Sequence, residues 1–153
     1  MAVEPFIRVQ KEDFDAAAES ARLSANRRDV GAVVTFTGLC RDENGTLNAL
    51  ELEHYPGMTE KMLAAIDAQA HERWPLEASL IIPRYGRLEP GDRIVLVITA
   101  SPHRDAAFDS CRFLIDWLKT KAPFWKRELT QDGGQWVDAR SSDDSAAERW
   151  IKD

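Results

Sequence analysis

Two apolar runs rich in β-branched residues limit the folds that this chain can adopt. Val30–Thr37 reads VGAVVTFT, and Ile94–Ala100 reads IVLVITA. Runs of this length and composition predict strands that are buried on both faces. Because such strands need a covering layer on each side, the chain requires a sheet with helices packed against it.

The segments around these runs supply the helices. Lys11–Leu23 and Thr59–Trp74 place apolar residues at helical spacing, and Thr59 is predicted to cap the second helix. Met62 is expected on the inner face of that helix. Ser101-Pro102 predicts a third helix that ends near Lys121, with serine as the N-cap and proline at the first helical position.

Turn signals add hairpins to this pattern. Asn44-Gly45 favours a tight hairpin that joins the first buried strand, closed by Gly38, to a returning strand over Leu47–His54. Further extended segments are predicted over Phe124–Leu129 and Gln135–Val137. The combination predicts an α+β fold, with a mixed or antiparallel sheet and packed helices, in one domain over residues 1–153.

Composition excludes several classes of protein. With 44% hydrophobic and 30% charged residues, the chain has enough apolar content for a core, and its net charge of -6 argues against general nucleic-acid binding. We find neither an apolar run long enough to span a membrane nor a signal peptide. Cys40 and Cys111 show no metal-binding spacing and are expected to be reduced and buried. These features predict a cytoplasmic location.

Positive charge is concentrated in one segment of this acidic chain. Leu118–Glu128 reads LKTKAPFWKRE, with two cations on each side of a Pro-Phe-Trp wedge. Such an arrangement suits a site that holds an anion against an apolar wall. A solvated helix end is the alternative, since cations in the last turn favour the helix dipole. That alternative accounts for Lys119 and Lys121 but not for Lys126 and Arg127.

Other cations stand at the ends of the predicted strands. His103-Arg104 lie where a buried strand meets a helix N-terminus, whose free N–H groups attract anions. Arg41 follows the first buried strand. Ordinary surface exposure is the alternative for each of them. If they converge with the Leu118–Glu128 segment, the ligand is anionic and partly apolar, such as a phosphorylated heterocycle. Three dispersed histidines without ligand spacing argue against a metal site.

Five segments then identify a family. GAVVTFTG, LELEHYPGMTEK, SPHR, LKTKAPFWKRE and WVDAR occur in this order between residues 30 and 150. On these segments the chain resembles the large, catalytic subunits of molybdopterin synthase, the MoaE family. The resemblance implies a fold of the α/β-hammerhead type and a sulfurtransferase activity without a metal or an organic cofactor.

The resemblance also implies a substrate and partners. Members of the family convert cyclic pyranopterin monophosphate into molybdopterin by adding the two sulfurs of its dithiolene. Each sulfur arrives as a thiocarboxylate on the C-terminal Gly-Gly of a small ubiquitin-like carrier subunit. Two large subunits form a homodimer with one carrier at each end, which makes a heterotetramer. Neither a nucleic acid nor a membrane is an implied partner.

The site residues implied by the resemblance follow position by position. Lys119 and Lys126 match the two catalytic lysines. Leu39 and Cys40 stand where the family pattern has a basic and an aliphatic residue, and Arg140 matches the arginine that reaches the neighbouring subunit's site. The implied substrate-binding residues are Leu39, Cys40, Arg41, His103, Arg104, Arg127, Glu128 and Arg140.

Two other functions remain open from the residues alone. A non-catalytic module that binds a ubiquitin-like tail or a phosphorylated metabolite would need the cations but not two separate lysines. A phosphate-transfer enzyme would normally need carboxylate-bound Mg²⁺ and a phosphate-cradling loop, which the sequence does not show. Conversion of substrate by the purified protein with thiocarboxylated carrier distinguishes these alternatives.

Overall fold

The computed structural model describes residues 6–42, 45–121, 124–131, 133–137 and 150. Eight strands and three helices lie within these residues. Their order is β1 Phe6–Ile7, α1 Ala16–Ser24, β2 Ala32–Leu39, β3 Ala49–His54, α2 Met58–Arg73, β4 Ala78–Pro83, β5 Gly86–Leu88, β6 Arg93–Ser101, α3 Arg104–Lys121, β7 Phe124–Thr130 and β8 Gly133–Val137. Arg140 lies outside the described residues.

The strands form two four-stranded sheets. The first has the order β1-β4-β6-β2, in which β1 runs parallel to β4 and the other pairs are antiparallel. The second has the order β5-β3-β7-β8 and is antiparallel throughout. The predicted α+β class, with mixed and antiparallel pairing, is therefore confirmed, although two sheets replace the single sheet that the sequence suggested.

Strand β6 is the centre of the first sheet and is covered on both faces. On the side covered by α2 and α3, Val97 packs with Ile81 and with Phe113 of α3. On the opposite side Leu96 and Ile98 pack with a second cluster that includes residues of α1. Burial on both faces explains why β6 reads as a continuous apolar run.

The predicted hairpin at Asn44-Gly45 is wrong, and Asn44 itself lies outside the described residues. Strand β2 pairs with β6 along its whole length, whereas β3 pairs with β5 and β7 in the other sheet. Gly38 does not close β2, which continues to Leu39. The free energy gained by burying apolar side chains of β2 beside β6 exceeds the preference of a local turn sequence. Strand β2 therefore pairs with the distant β6 and not with β3.

Helices α1 and α2 differ in detail from the sequence prediction: α1 begins later than expected, and α2 buries different residues. Helix α1 begins at Ala16, after Asp15, whose side chain accepts a hydrogen bond from the Ala18 N–H group at 3.0 Å. In α2, Thr59 is fully buried instead of capping the helix, and Met62 is 37% exposed. Gly57, with φ of 84°, precedes the first residue of α2.

Helix α3 also begins later than expected. Ser101 is the last residue of β6 and not the N-cap. Its hydroxyl accepts a hydrogen bond from the His103 N–H group at 3.1 Å and donates one to the Pro75 carbonyl at 2.8 Å. The first helical hydrogen bond runs from the Ala107 N–H group to the His103 carbonyl. Ser101 therefore fixes the strand-to-helix turn, and the helix starts two residues after Pro102. Within the described residues no helix has the length and hydropathy needed to cross a bilayer.

An ion pair joins the segment before α1 to the start of β6. The Arg93 guanidinium donates to the Asp13 carboxylate, with 2.9 Å between Nε and Oδ1, and the Phe14 N–H group donates to the same oxygen at 2.8 Å. The hydrogen bond from Arg93 lowers the pKa of Asp13 from 3.8 to about 2. A carboxylate with a lowered pKa adds stability above its ordinary pKa and loses that stability as the pH falls through the lowered value.

Replacing Asp13 tests this linkage. We expect Asp13→Asn to lower the melting temperature slightly at neutral pH, because both side chains of the ion pair are about half exposed and solvent screens their attraction. The difference in melting temperature between the variant and the unmodified protein should shrink as the pH falls from about 4 toward 2, where Asp13 itself becomes protonated. Asp109→Asn, on the exposed face of α3, is the control. A difference that stays constant across this range would contradict the linkage.

Candidate active site

The second sheet places Lys126 and Arg127 on opposite faces. In the register of β7, Lys126 lies opposite Leu52 and Arg127 lies opposite Glu51. Neighbouring side chains of a strand point to opposite faces, and directly paired residues share a face. The face of Lys126 is called the inner face because its residues Leu50 and Leu88 are buried. The other, outer face carries Arg127.

The inner face brings Lys126 close to the predicted substrate-contacting loop. Cys40, the residue after β2, is 3% exposed, and its Sγ lies 3.9 Å from the carbonyl oxygen of Leu88. Burial raises the pKa of the Cys40 thiol, the Asp92 carboxylate raises it further, and the Lys126 ammonium lowers it. Lys126 is therefore within electrostatic reach of Cys40, although the two lie on different sheets.

Backbone hydrogen bonds hold this loop in place. The Cys40 N–H group donates to the Asp92 carbonyl, and the Gly91 N–H group donates to the Cys40 carbonyl, both at 2.8 Å. Leu39 is 56% exposed, and Arg41 is also exposed. The loop Leu39–Arg41 thus presents its first and third side chains outward while the second anchors it. Lys126 is thus within electrostatic reach of this loop, and a shared role in binding substrate stays a prediction.

Arg127 has a different environment on the outer face. Its guanidinium carbon lies 5.8 Å from the centroid of the Trp136 ring. A Cβ atom added at Gly134 would lie 2.2 Å from the Arg127 Nε, so glycine is needed there for Arg127 to lie across β8. The prediction that Arg127 and Lys126 line the same pocket of one chain is therefore wrong. Glu128, two residues after Lys126, returns to the inner face and is half-buried.

The apolar wedge between the cations is divided in the same way. Phe124 lies on the inner face, 6.4 Å from the ring of His54. Trp125 lies on the outer face, is 49% exposed, and contacts Trp136 with 6.2 Å between ring centroids. Phe124 can therefore form a wall near Lys126, while Trp125 cannot. Pro123 lies outside the described residues.

Helix α3 separates the remaining cations. Arg104 opens α3, and Lys119 lies 15 residues later in its last turns, which is about 22 Å along the axis at ~1.5 Å per residue. His103, Arg104 and Lys119 are all exposed. The predicted convergence of every cation in one pocket therefore fails within one protomer. Lys119 instead lies at the end of α3 from which the chain enters β7 and Lys126.

His54 forms a polar pair at the inner face, although neither the residue pattern nor the resemblance assigned it to the site. Its Nδ1 lies 3.9 Å from Oε1 of Glu60, and its ring centroid lies 4.3 Å from that of Tyr85. The HYPGMTEK segment was the only available signal, because it carries much of the family resemblance without containing an implied site residue. Among the described residues, no group of three or more His, Cys, Asp or Glu side chains is arranged to hold a metal ion.

Comparisons with known proteins extend this description. The sequence model of the MoaE protein family matches residues 9–121. The molybdopterin synthase catalytic subunit of Mesorhizobium japonicum is 57% identical over 148 residues, which cover 95% of this chain and 93% of that protein. The solved structure of the molybdopterin biosynthesis MoaE protein from Burkholderia ambifaria is 52% identical, covers 97% of this chain and 99% of its own, and superposes with a TM-score of 0.84.

A more distant structure shares the fold. The complex of subunits 1 and 2 of the molybdopterin-converting factor from Helicobacter pylori matches with a TM-score of 0.74 at 18% identity, over 88% of this chain and 92% of that chain. Together with the match to the Burkholderia ambifaria structure, this likeness confirms the predicted fold class.

The proximity of Lys126 and Cys40 can be tested in solution. Lys126→Met removes the charge that lowers the pKa of Cys40 and keeps a side chain of similar length. We expect iodoacetamide to alkylate native Cys40 more slowly in this variant at constant pH, because less thiolate is present. Mass spectrometry of the Cys40 peptide measures the rate.

Two controls accompany this experiment. Lys61→Met, on the exposed side of α2, should leave the rate unchanged. Cys111 should stay unlabelled in every variant, because burial raises its pKa to about 12. Equal alkylation of Cys40 in the Lys126→Met variant and the unmodified protein would contradict the proximity.

Proposed function

Because the chain belongs to the MoaE protein family, we propose that it is the catalytic subunit of a molybdopterin synthase, an enzyme of molybdenum cofactor biosynthesis. In this proposal residues 1–153 form one catalytic domain that acts as a sulfurtransferase. It moves sulfur from the thiocarboxylated C-terminus of a small carrier subunit to cyclic pyranopterin monophosphate. The product is the dithiolene of molybdopterin.

The observation that carries the proposal is the inner-face arrangement of Lys126 beside the loop Leu39–Arg41. The phosphate of the substrate and the thiocarboxylate of the carrier are both anions, and bringing them together costs Coulomb energy that grows as water is excluded. The half-buried Lys126 and the exposed Arg41 supply positive charge next to the partly apolar surface of Phe124. Such a surface suits a pterin ring that carries a phosphate.

We assign proton transfer and anion binding to the two lysines. Adding sulfur and opening the cyclic phosphate require protons to be delivered and removed. A lysine ammonium can supply a proton and can also hold the terminal carboxylate of the carrier. Lys119 and Lys126 flank the short connection between α3 and β7, which places both at the same end of α3.

The length of α3 supports a site shared between two protomers. Arg104 lies about 22 Å from Lys119 along α3, and His103 immediately precedes the helix, so both serve a different site from the one that holds their own Lys119. A two-fold dimer with antiparallel α3 helices would place the partner's Arg104 near Lys119. A dimer of this kind with one carrier at each end is the heterotetramer that the family implies, and the complex of two converting-factor subunits has the same fold in one of its chains.

We place the reaction in the cytoplasm. Cys40 and Cys111 are both free and buried, which suits a reducing compartment. A thiocarboxylated carrier also needs reducing conditions to avoid oxidation of its sulfur.

Replacing Lys119 separates chemistry from binding. We expect Lys119→Ala to lower single-turnover formation of molybdopterin by ~10²–10⁴-fold, because a positioned acid–base group contributes about that much. Its melting temperature should change little, since the Lys119 side chain is exposed. Lys119→Arg should remain inactive, because guanidinium stays protonated at neutral pH. Lys121→Ala is the control and should be much milder.

Two outcomes would contradict these assignments. Near-normal turnover in Lys119→Arg would show that Lys119 only binds an anion. Full activity in Lys119→Ala would remove the end of α3 from the active site.

Mixing two inactive variants tests the shared site. Arg104→Ala and Lys119→Ala should each be impaired as pure dimers. If each site combines Lys119 of one protomer with Arg104 of the other, a mixed dimer has one intact site, and equal mixing should restore about a quarter of the unmodified activity. Light scattering should show a dimer before the carrier is added. A monomer, or a mixture no more active than its parts, would refute the shared site.

A further inference from the structure

The segment between β3 and α2 holds a carboxylate in a fixed position. Gly57, with φ of 84°, turns the chain after His54, and the Tyr55 N–H group donates to the Thr59 hydroxyl at 3.1 Å. The Gly57 N–H group donates to Oε2 of Glu60 at 3.4 Å, which ties this carboxylate to the helix N-terminus. One oxygen of Glu60 is therefore engaged, and the other is left to face His54.

The two facing atoms lack hydrogen-bond partners. His54 Nδ1 and Glu60 Oε1 are 3.9 Å apart, and neither atom has a hydrogen-bond partner or contact with solvent, although the Glu60 side chain as a whole is 44% exposed. Buried polar atoms without partners are uncommon and call for an explanation. A carboxylate that faces an imidazole nitrogen is the usual device for orienting a histidine that handles protons. Hydrogen bonds of this kind are often long in the unliganded protein and tighten when substrate binds.

The other neighbours of His54 are aromatic. The ring centroid of Tyr85 lies 4.3 Å away and that of Phe124 lies 6.4 Å away. The His54 side chain is only 11% exposed. These rings limit the movement of the imidazole, and Glu60 supplies the carboxylate beside it.

The register then places His54 next to Lys126. His54 pairs with Phe124 and Leu52 pairs with Lys126, so all four side chains lie on the inner face. His54 and Lys126 are diagonal neighbours, whose Cβ atoms are expected to lie about 7–8 Å apart. The flexible lysine side chain spans most of that distance, and one water molecule can span the rest.

We propose that His54, oriented by Glu60, exchanges protons with Lys126 during the reaction. This inference rests on the proposed function, since it assigns a further residue to the same site. After the Lys126 ammonium has given a proton to the substrate oxygen released when the cyclic phosphate opens, the His54 imidazolium, beside the Glu60 carboxylate, passes one proton to the Lys126 amine and becomes a neutral imidazole. Solvent then restores the proton on His54. Only protons move in these steps, so no oxidant or reductant is required.

Imidazole rescue distinguishes this role from a structural one. We expect His54→Ala to slow single-turnover conversion of cyclic pyranopterin monophosphate by ~10²-fold or more. Free imidazole can enter the space left by the ring and should restore a large part of the rate. Glu60→Gln keeps an oxygen for the Gly57 N–H group but removes the charge, and should slow conversion by about ten-fold.

His71 provides the matched control. It lies on α2, and its Nε2 is 2.8 Å from the Ser79 hydroxyl and 3.4 Å from Asp67, in the packing of α2 against the first sheet. His71→Ala should lower the melting temperature through loss of that network, but imidazole should not change its rate of conversion. A comparison of the two histidine variants therefore separates lost packing from lost proton transfer.

The possible outcomes decide between the two proposals. Normal turnover in His54→Ala, or a slow rate that imidazole does not raise, would overturn the role of His54. If His54→Ala does not fold, Glu60→Gln decides, and normal turnover in that variant would overturn the inference. Failure of the unmodified protein to convert substrate would instead refute the proposed function.

Discussion

The paired hydrogen bonds between Cys40 and the turn at Gly91–Asp92 are the contact on which the candidate site depends. They join the end of β2, in the first sheet, to the turn that connects β5 of the second sheet to β6. Because Cys40 is buried against Leu88, the loop cannot leave this position without exposing apolar surface. Lys126 belongs to the second sheet, so its distance from Arg41 is set by this junction and not by either sheet alone.

The elements with strong local signals were predictable from the sequence. The apolar runs became the strands β2 and β6, and the helix after Pro102 ends at Lys121, as expected before a proline. Only β6 is buried on both faces, whereas β2 is the edge strand of its sheet and is only partly buried, so the predicted full burial of the first run is wrong. The pairing of the strands was harder to predict, because the Asn44-Gly45 turn signal is local whereas the β2–β6 contact joins distant segments. The free energy of the β2–β6 pairing comes from apolar burial on both faces of β6, and a turn motif carries no information about that burial.

The arrangement of the candidate site residues was only partly predictable from the sequence. Charge clustering drew attention to Lys126 and Arg127 together, although the alternation of a strand places adjacent side chains on opposite faces. The rise of α3 likewise prevents Arg104 and Lys119 from meeting within one chain. Both facts follow from the period and length of regular elements, so they can be derived from the sequence once the bounds of the elements are known. The His54–Glu60 pair was not accessible in this way, because it depends on how β3, β5 and α2 meet.

One irregularity in the β2–β6 ladder controls which side chains of the loop Leu39–Arg41 face outward. Gly38 pairs with Val95 but Leu39 pairs with Arg93, so β6 contains an extra residue, Ile94, at this point. The extra residue shifts the phase of the strand by half a period, and Cys40 turns inward beside Asp92 while Leu39 remains outside. Related sequences should therefore differ at Ile94 by substitution and not by insertion or deletion of a residue. A single-residue deletion in β6 would reverse the inward and outward orientation of the side chains that follow β2.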